Sequence, residues 1–440
     1  MTEFNKIVFV GLDGVPFSLL ENFFDLDVMP GLKKLAADGI FSPMDSSRPP
    51  ISSVAWTSFM TGKDPGHHGI FGFTDVAKDE VRLTLPSFDD IRAPVIWNKF
   101  PEKRTVVVNL PFTYPARPLN GVLIAGFVAP IFERAVYPTS LVPWLKSKGY
   151  KTDTDNVKAR QNKSFLIEDL FSTLRALEEV VFTLAQEPWD IFIFVVTGSD
   201  RLNHFLFDAL KDHTHPYHSE SVSYYRRVDD LVSDFLARLE TKTRKVILSD
   251  HGFTDLKLQV NLNYLLRMRG YMSLNSLEAR DISCVSPNSL AFAMDPTRIY
   301  INSKSRFKTG FLSDSQALET RVRLRNDLIQ FRISDLGPMA SGLGVSPKES
   351  LFTEVKFKEE IYQGPCLEFA PDIVVTPRPG YDVKASINAS SLCQKDIFTG
   401  VHTQDDAFVI VGDRETNEDF SKFSVSDISG LIPWKKGSTY

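Results

Sequence analysis

A chain of 440 residues with 43% apolar and 24% charged side chains can bury a substantial core, as one large α/β domain with a cap or as two to three ordinary domains. Its net charge of -5 and isoelectric point near 6.0 include no basic stripe of the kind that nucleic-acid backbones require, so bulk nucleic-acid binding is excluded. A local positive site, such as a bound metal, remains compatible with a small anionic substrate.

Met1 to Lys6 leads straight into Ile7-Val-Phe-Val10 without the long apolar stretch of a signal peptide, and no window approaches a membrane span. Cys284, Cys366 and Cys393 are odd in number and lack metal-type spacing, so they read as buried small hydrophobes in a reducing compartment. Both features predict a cytoplasmic protein. The oligomeric state has no signature in the sequence.

The runs Ile7 to Val10, Val106 to Leu110, Ile191 to Thr197, Val246 to Ser249, Ile373 to Thr376 and Phe408 to Val411 are rich in Val, Ile and Phe and show no polar alternation. Strands buried on both faces look like this, which predicts a parallel or mixed sheet covered by helices. Between the runs, Phe165 to Leu184 and Val222 to Leu239 place apolar residues at helical spacing with charges on the other side. The segment from Thr254 to Pro371 breaks the rhythm with Asn and Ser clusters and basic residues, and reads as an insertion.

Polar residues of one chemical type gather at the carboxyl ends of these runs, where open α/β sheets build their sites. Val10-Gly-Leu-Asp13-Gly14 ends the first run with a carboxylate beside a glycine, although an Asp cap on a strand-to-helix turn explains it as well. Asp200 and His204, four apart, share a helix face and can converge on one ion; a cap and a surface histidine are the alternative. In Ser249-Asp250-His251-Gly252 two neighbouring ligand types can reach one ion or two where the glycine permits a sharp turn. His402 stands directly before the last strong strand and gains meaning only from this company.

A nucleophile candidate lies in Pro49-Pro-Ile-Ser52-Ser-Val-Ala-Trp56, followed by Pro65-Gly-His-His-Gly69. A hydroxyl attacks phosphorus only once its proton is lost, and metal coordination supplies that at neutral pH. By itself the stretch reads as a Ser-rich loop capping a short helix from Trp56 to Met60. The cluster His213, His215 and His218 reads as a polar loop rather than a third metal site.

In chain order Asp13, Ser52, Asp200, His204, Asp250, His251 and His402 resemble the alkaline phosphatase superfamily, and most closely its type I phosphodiesterase and nucleotide pyrophosphatase branch. Met29-Pro-Gly-Leu32, the stretch from Ser52 to Gly69, Asn109-Leu-Pro-Phe-Thr-Tyr-Pro115 and Thr297-Arg-Ile-Tyr-Ile-Asn302 are similar to microbial members described as phosphohydrolases or phosphomutases. The resemblance implies an alkaline-phosphatase-like α/β fold: a central, mostly parallel sheet with helices on both faces. The core would be 1–253 with 372–440, and 254–371 would be an inserted cap for substrate selection.

The resemblance further implies two divalent metal ions, zinc with manganese as the alternative. Asp200, His204 and His402 would hold one; Asp13, Asp250 and His251 would hold the other, joined by the Ser52 hydroxyl. Ser52 would attack phosphorus to give a phosphoseryl intermediate. The expected function is a metal-dependent phosphoesterase on a small phosphorylated substrate, diester or pyrophosphate ahead of monoester. A phosphotransferase or phosphomutase on the same residues, or a catalytically silent phospho-ligand-binding protein, are the alternatives.

The chain departs from the family's pattern after His68-Gly-Ile70, where Phe71-Gly-Phe73 stands in place of a phosphate-binding Asn, so activity on nucleotide diesters is not inherited automatically. Lys63 and Arg201 are the nearest cationic candidates for the missing donor. Ser52-Ser-Val-Ala-Trp56 also lacks the setting that sulfatases need for formylglycine.

Overall fold

In a computed structural model the chain is described over residues 4–276, 282–413 and 419–434, so its first three residues lie outside the described ones. It divides into two compact units. Residues up to Lys63, Ser87–Thr254 and those from Phe398 onward form the first; Asp64–Pro86 and Asp255–Ile397 form the second.

The first unit is organised by an eight-stranded sheet. Its strands are β1 (Lys6–Leu12), β2 (Ile40–Met44), β3 (Thr105–Leu110), β4 (Gly121–Ala125), β5 (Val136–Tyr137), β6 (Ile191–Val196), β7 (Thr243–Leu248) and β8 (Ala407–Val411). The spatial order is β2-β8-β7-β1-β6-β3-β4-β5. The five central strands run parallel; β5 is antiparallel to β4 at one edge, and at the other β8 is antiparallel to both β7 and β2, so β2 runs in the direction of the central strands.

The apolar runs have this place because both faces of the sheet are covered. Register pairs Val8 with Phe192 and Val10 with Phe194, which puts these four side chains on one face. There Phe192 and Phe194 meet Phe235 of helix α4 (His218–Ala237), and Phe235 meets Phe182 of helix α2 (Lys163–Leu184). On the other face Phe9 packs edge-on against Phe59 of helix α1 (Ser52–Thr61). Each fully buried aromatic ring of this kind contributes about 1.5–3 kcal/mol relative to an exposed one.

Gly11 shows how closely α1 approaches the sheet. A Cβ at this position would lie 2.4 Å from the Trp56 ring and 2.9 Å from Val195. Gly11→Ala is therefore expected to push Trp56 aside and destabilise the unit by about 1–3 kcal/mol, read as a lower urea midpoint. An unchanged midpoint would mean that the ring has room to move.

The second unit has its own apolar core and its own sheets. Leu258–Asn261 pairs with Tyr381–Lys384 and Cys393–Gln394 in one. A second is antiparallel and orders Ala291–Met294, Arg298–Ile301, Ile373–Pro377 and Phe352–Phe357, and Asp75–Val76 with Leu83–Thr84 form a small third. The apolar run at Ile373, expected in the central sheet, lies here instead. An apolar run reports that a strand is buried on both sides, and it carries no label for which of two sheets buries it. Accordingly 64–86 and 372–397 stand with the segment 255–371 in this unit, rather than with the first.

No helix among the described residues is long and apolar enough to cross a membrane.

Candidate active site

All seven residues singled out from the sequence lie in the first unit: five at or beyond the carboxyl ends of β1, β6 and β7, His402 on the segment before β8, and Ser52 at the start of α1. Asp13 follows β1. Gly14, at φ +65°, turns the chain so that its N–H donates to Asp250 Oδ1 at 3.0 Å. An L residue with a Cβ would strain that turn and meet the Phe253 ring at 2.8 Å.

Asp200 and His204 sit in the first turns of helix α3 (Gly198–Lys211), which follows β6 directly. Their spacing of four brings His204 Nε2 within 3.5 Å of Asp200 Oδ1. Asp250 and His251 follow β7, and Ser46 Oγ fixes the turn by donating to the Asp250 carbonyl at 2.6 Å. Gly252 is needed for closeness: a Cβ there would fall 2.4 Å from Thr403 Oγ1 on the strand Gly400–Thr403, which pairs with Gly252–Asp255 and carries His402.

These elements bring the side chains into two adjoining groups, Asp200 with His204 and His402, and Asp13 with Asp250 and His251. Within each group the potential ligand atoms lie within 4.8 Å of one another. His402 Nε2 is 3.0 Å from His204 Nε2 and 3.2 Å from Asp200 Oδ1. His251 Nε2 is 3.2 Å from Asp250 Oδ2 and 3.9 Å from Asp13 Oδ1. The two groups share a wall, since the His251 and His402 rings stack with centroids 3.7 Å apart.

Ser52 opens helix α1 and is almost fully buried. Its hydroxyl donates to Asp13 Oδ1 at 3.3 Å and lies 3.4 Å from His251 Nε2. The amides of Ser52 and Ser53 head the helix and have no carbonyl partner among the described residues, while Val54 and Ala55 donate to Ile51. An anion at this helix end meets free N–H groups and the positive end of the helix dipole.

The donor atoms fit cations rather than protons. Backbone carbonyls can only accept, so His402 Nδ1 donates to Pro50 O at 2.9 Å and His251 Nδ1 donates to Gly252 O at 3.2 Å. Both rings thereby aim Nε2 at carboxylates, as metal-ligating imidazoles do. Burial, then the neighbouring His402, holds His251 well below the usual histidine range, so Nε2 carries a lone pair. Asp250 Oδ2 is buried and accepts no hydrogen bond among the described residues.

The carboxylates feel one another. Burial raises Asp13 well above the ordinary carboxylate range and the charges of Asp250 and Asp200 add to it, against the Trp56 indole, which donates to Asp13 Oδ2 at 3.0 Å. Burial likewise pushes Asp250 up to about 7, with Asp200 adding to the shift and the Gly14 amide opposing it. In Asp200 burial also works upward, but His204, His402 and Arg201 outweigh it and hold the group below its usual range. Three buried carboxylates converging with three imidazoles form a strongly cation-seeking pocket.

Two sequence candidates for a phosphate donor have other places. Arg201 is engaged by two carboxylates: Nε and Nη2 bind Asp153, and Nη1 binds Asp200 Oδ2 at 2.8 Å. Lys63 is exposed and follows the far end of α1, about 15 Å of helix rise away from Ser52. His213, His215 and His218 form no third donor group among the described residues; His218 Nδ1 donates to Ala209 O, and His213 Nδ1 lies 3.0 Å from His218 Nε2.

Other supporting residues escaped the sequence reading. Trp56 was within reach of it, because it follows Ser52 by four on one helix and so shares its face. Phe253 was not: its ring lies 4.9 Å from that of His204 and 4.8 Å from that of His402, a contact set by tertiary folding. The same holds for Asn203, which donates to Gly14 O and accepts from the Tyr225 hydroxyl.

Comparison with known proteins bears on the fold and the family. Three solved structures share the fold over almost the whole chain. Phosphonoacetate hydrolase from Sinorhizobium meliloti 1021, solved with phosphonoformate, has a TM-score of 0.64 at 16% identity, covering 98% of this chain and 96% of that one. The alkaline phosphatase PafA has a TM-score of 0.60 at 13% identity, covering 99% and 97%. Murine ectonucleotide pyrophosphatase/phosphodiesterase 5 has a TM-score of 0.53 at 12% identity, covering 97% and 94%. The search of curated protein sequences finds no match. The family model for type I phosphodiesterase/nucleotide pyrophosphatase matches residues 7–405, and the chain belongs to that family of metal-dependent phosphoester hydrolases within the alkaline phosphatase superfamily.

Proposed function

We propose that the chain hydrolyses small phosphodiester or pyrophosphate substrates through a phosphoseryl intermediate on Ser52. The observation that carries this reading is the place of Ser52 Oγ, buried at a helix start and within 3.4 Å of both Asp13 Oδ1 and His251 Nε2. Asp200, His204 and His402 would hold one divalent cation, and Asp13, Asp250 and His251 the other, together with the Ser52 oxygen. Zinc suits the mixed nitrogen and oxygen donors, with manganese the alternative. Such a pair of cations supplies charge that eases loss of the serine proton and offsets the negative charge of the phosphoryl group and the departing oxygen.

The protein's own groups do the positioning. Helix α1 fixes Ser52 Oγ for attack on phosphorus in line with the leaving oxygen, and the amides at its start face the non-bridging oxygens. Trp56 holds the outer oxygen of Asp13, which leaves Oδ1 turned to Ser52. Displacement forms the Ser52–phosphorus bond and releases the first alcohol or phosphate; water then breaks that bond. Ester preference we assign to the segment 254–371.

The test is turnover by the zinc- or manganese-loaded protein of bis(4-nitrophenyl) phosphate against 4-nitrophenyl phosphate, with and without an added alcohol. The expected result is a kcat/KM about tenfold or more higher for the diester, with water as the main acceptor. Transfer to the alcohol as the dominant outcome would make the protein a phosphotransferase. No turnover of either ester by metal-loaded protein would overturn the reading.

A further inference from the structure

Arg201 stands beside Asp200 in sequence, yet its side chain is turned away from the imidazoles and is only 14% exposed. Its guanidinium makes the two-pronged contact that suits a carboxylate: Nε to Asp153 Oδ1 at 3.0 Å and Nη2 to Asp153 Oδ2 at 2.8 Å. It also lies over the Phe127 ring at 4.4 Å. Asp153 is itself held. Asn156 Nδ2 donates to its Oδ2 at 3.2 Å, and the surrounding segment is tied to helix α2, where Asp169 accepts from Lys151 Nζ at 2.6 Å and from the Asp155 amide at 2.9 Å.

The remaining donor, Nη1, takes one oxygen of Asp200 at 2.8 Å. That oxygen, Oδ2, faces the guanidinium; the other, Oδ1, faces His402 at 3.2 Å, His204 at 3.5 Å and His251 at 4.0 Å. A carboxylate with both oxygens free could swing between two ways of meeting a cation. Here one oxygen is already engaged by a planar group that is anchored on its opposite edge.

We infer that Arg201, anchored by Asp153, is a positioning residue that commits Asp200 to a cation through Oδ1 alone, and so sets the geometry and affinity of the Asp200–His204–His402 group. It reaches the Asp13–Asp250–His251 group only through its charge, which acts on Asp13. This rests on the metal-ligand reading proposed above. A positive charge this near a cation site weakens cation binding through charge alone, so the benefit must come from geometry. Lysine keeps the charge and loses the fork, which makes Arg201→Lys the informative substitution.

The experiment is zinc titration of the metal-stripped full-length protein by calorimetry, comparing wild type, Arg201→Lys, Asp153→Asn and His204→Ala, with melting curves of each. Wild type is expected to bind two zinc ions. Arg201→Lys and Asp153→Asn should weaken one of them about 10- to 100-fold, the one that His204→Ala loses, and leave the other unchanged. In both variants kcat/KM should recover toward wild type as free zinc is raised, which a misfolded site would not do. Wild-type affinity at both sites in Arg201→Lys, or equal weakening of both, would overturn the inference. Should Asp153→Asn fail to fold, Arg201→Lys decides alone. Failure of wild type to bind zinc or manganese would remove the ligand reading and this inference with it.

Discussion

Ser52→Ala is expected to lower kcat by about 10⁴-fold or more while the fold and both cations remain. The substitution removes one oxygen from the start of α1 and disturbs little else, because Asp13 keeps its bond from Trp56 and His251 keeps its bond to Gly252. The measurement is turnover of a nitrophenyl ester together with metal content by elemental analysis. Ser53, the next residue, is the internal control. Its hydroxyl is fully buried and makes no hydrogen bond among the described residues, and it points from the helix about 100° away from Ser52. Ser53→Ala should therefore leave kcat within a fewfold of wild type. Substantial activity in Ser52→Ala would take the nucleophile role from Ser52.

Stripping the divalent metal is expected to destabilise the first unit, and to make its stability fall as pH rises above about 6.5. A cation present at about 1,000 times its dissociation constant contributes about 4 kcal/mol per site. Without it, Asp13 and Asp250 are carboxylates raised in the folded state, Asp250 to about 7. Groups raised on folding stabilise most below their unfolded value near 4, and the contribution is lost as pH rises through the folded value. His251, lowered on folding, works the other way, but only below about 6.5, where its unfolded form begins to take up a proton. The two effects oppose each other in mild acid. Above pH 6.5 the histidine effect fades and the loss dominates, and the metal-free protein should lose about 1–3 kcal/mol between pH 6.5 and 8. Chemical denaturation at several pH values, with and without chelator, reads this directly. A metal-free protein equally stable at both ends of that range would mean that Asp13 and Asp250 are not raised on folding.

Much of this site could be read before any coordinates, for a definite physical reason. Strands buried on both faces announce themselves as apolar runs, and residues just beyond such runs in a parallel sheet share one edge. Asp13, Asp200 and Asp250 follow three neighbouring strands, so their meeting is a property of strand order. The partition into two groups followed from the family's pattern, since spacing alone leaves open which histidine serves which carboxylate. The short strands β2 and β5 lacked the length or apolarity to stand out, whereas Val122 to Ala125 of β4 is as apolar as the runs that did and was open to the same reading. The segment 64–86 gave no sign that it folds with 255–397, because that depends on contacts between residues hundreds of positions apart. Asp153 is the plainest case: nothing near it in sequence points to Arg201, 48 residues later.

The order in which the chain supplies its ligands has a consequence for biosynthesis. Asp13, Asp250 and His251 have all been synthesised by residue 251, whereas Asp200 and His204 must wait for His402. At the usual pace of translation the interval is roughly 8 to 30 s. Throughout it β7 is an open sheet edge, for β8, which covers that edge, comes later still. The nascent protein thus holds one complete set of donors beside an incomplete one, and the last dozen residues of the family match decide when the second becomes whole.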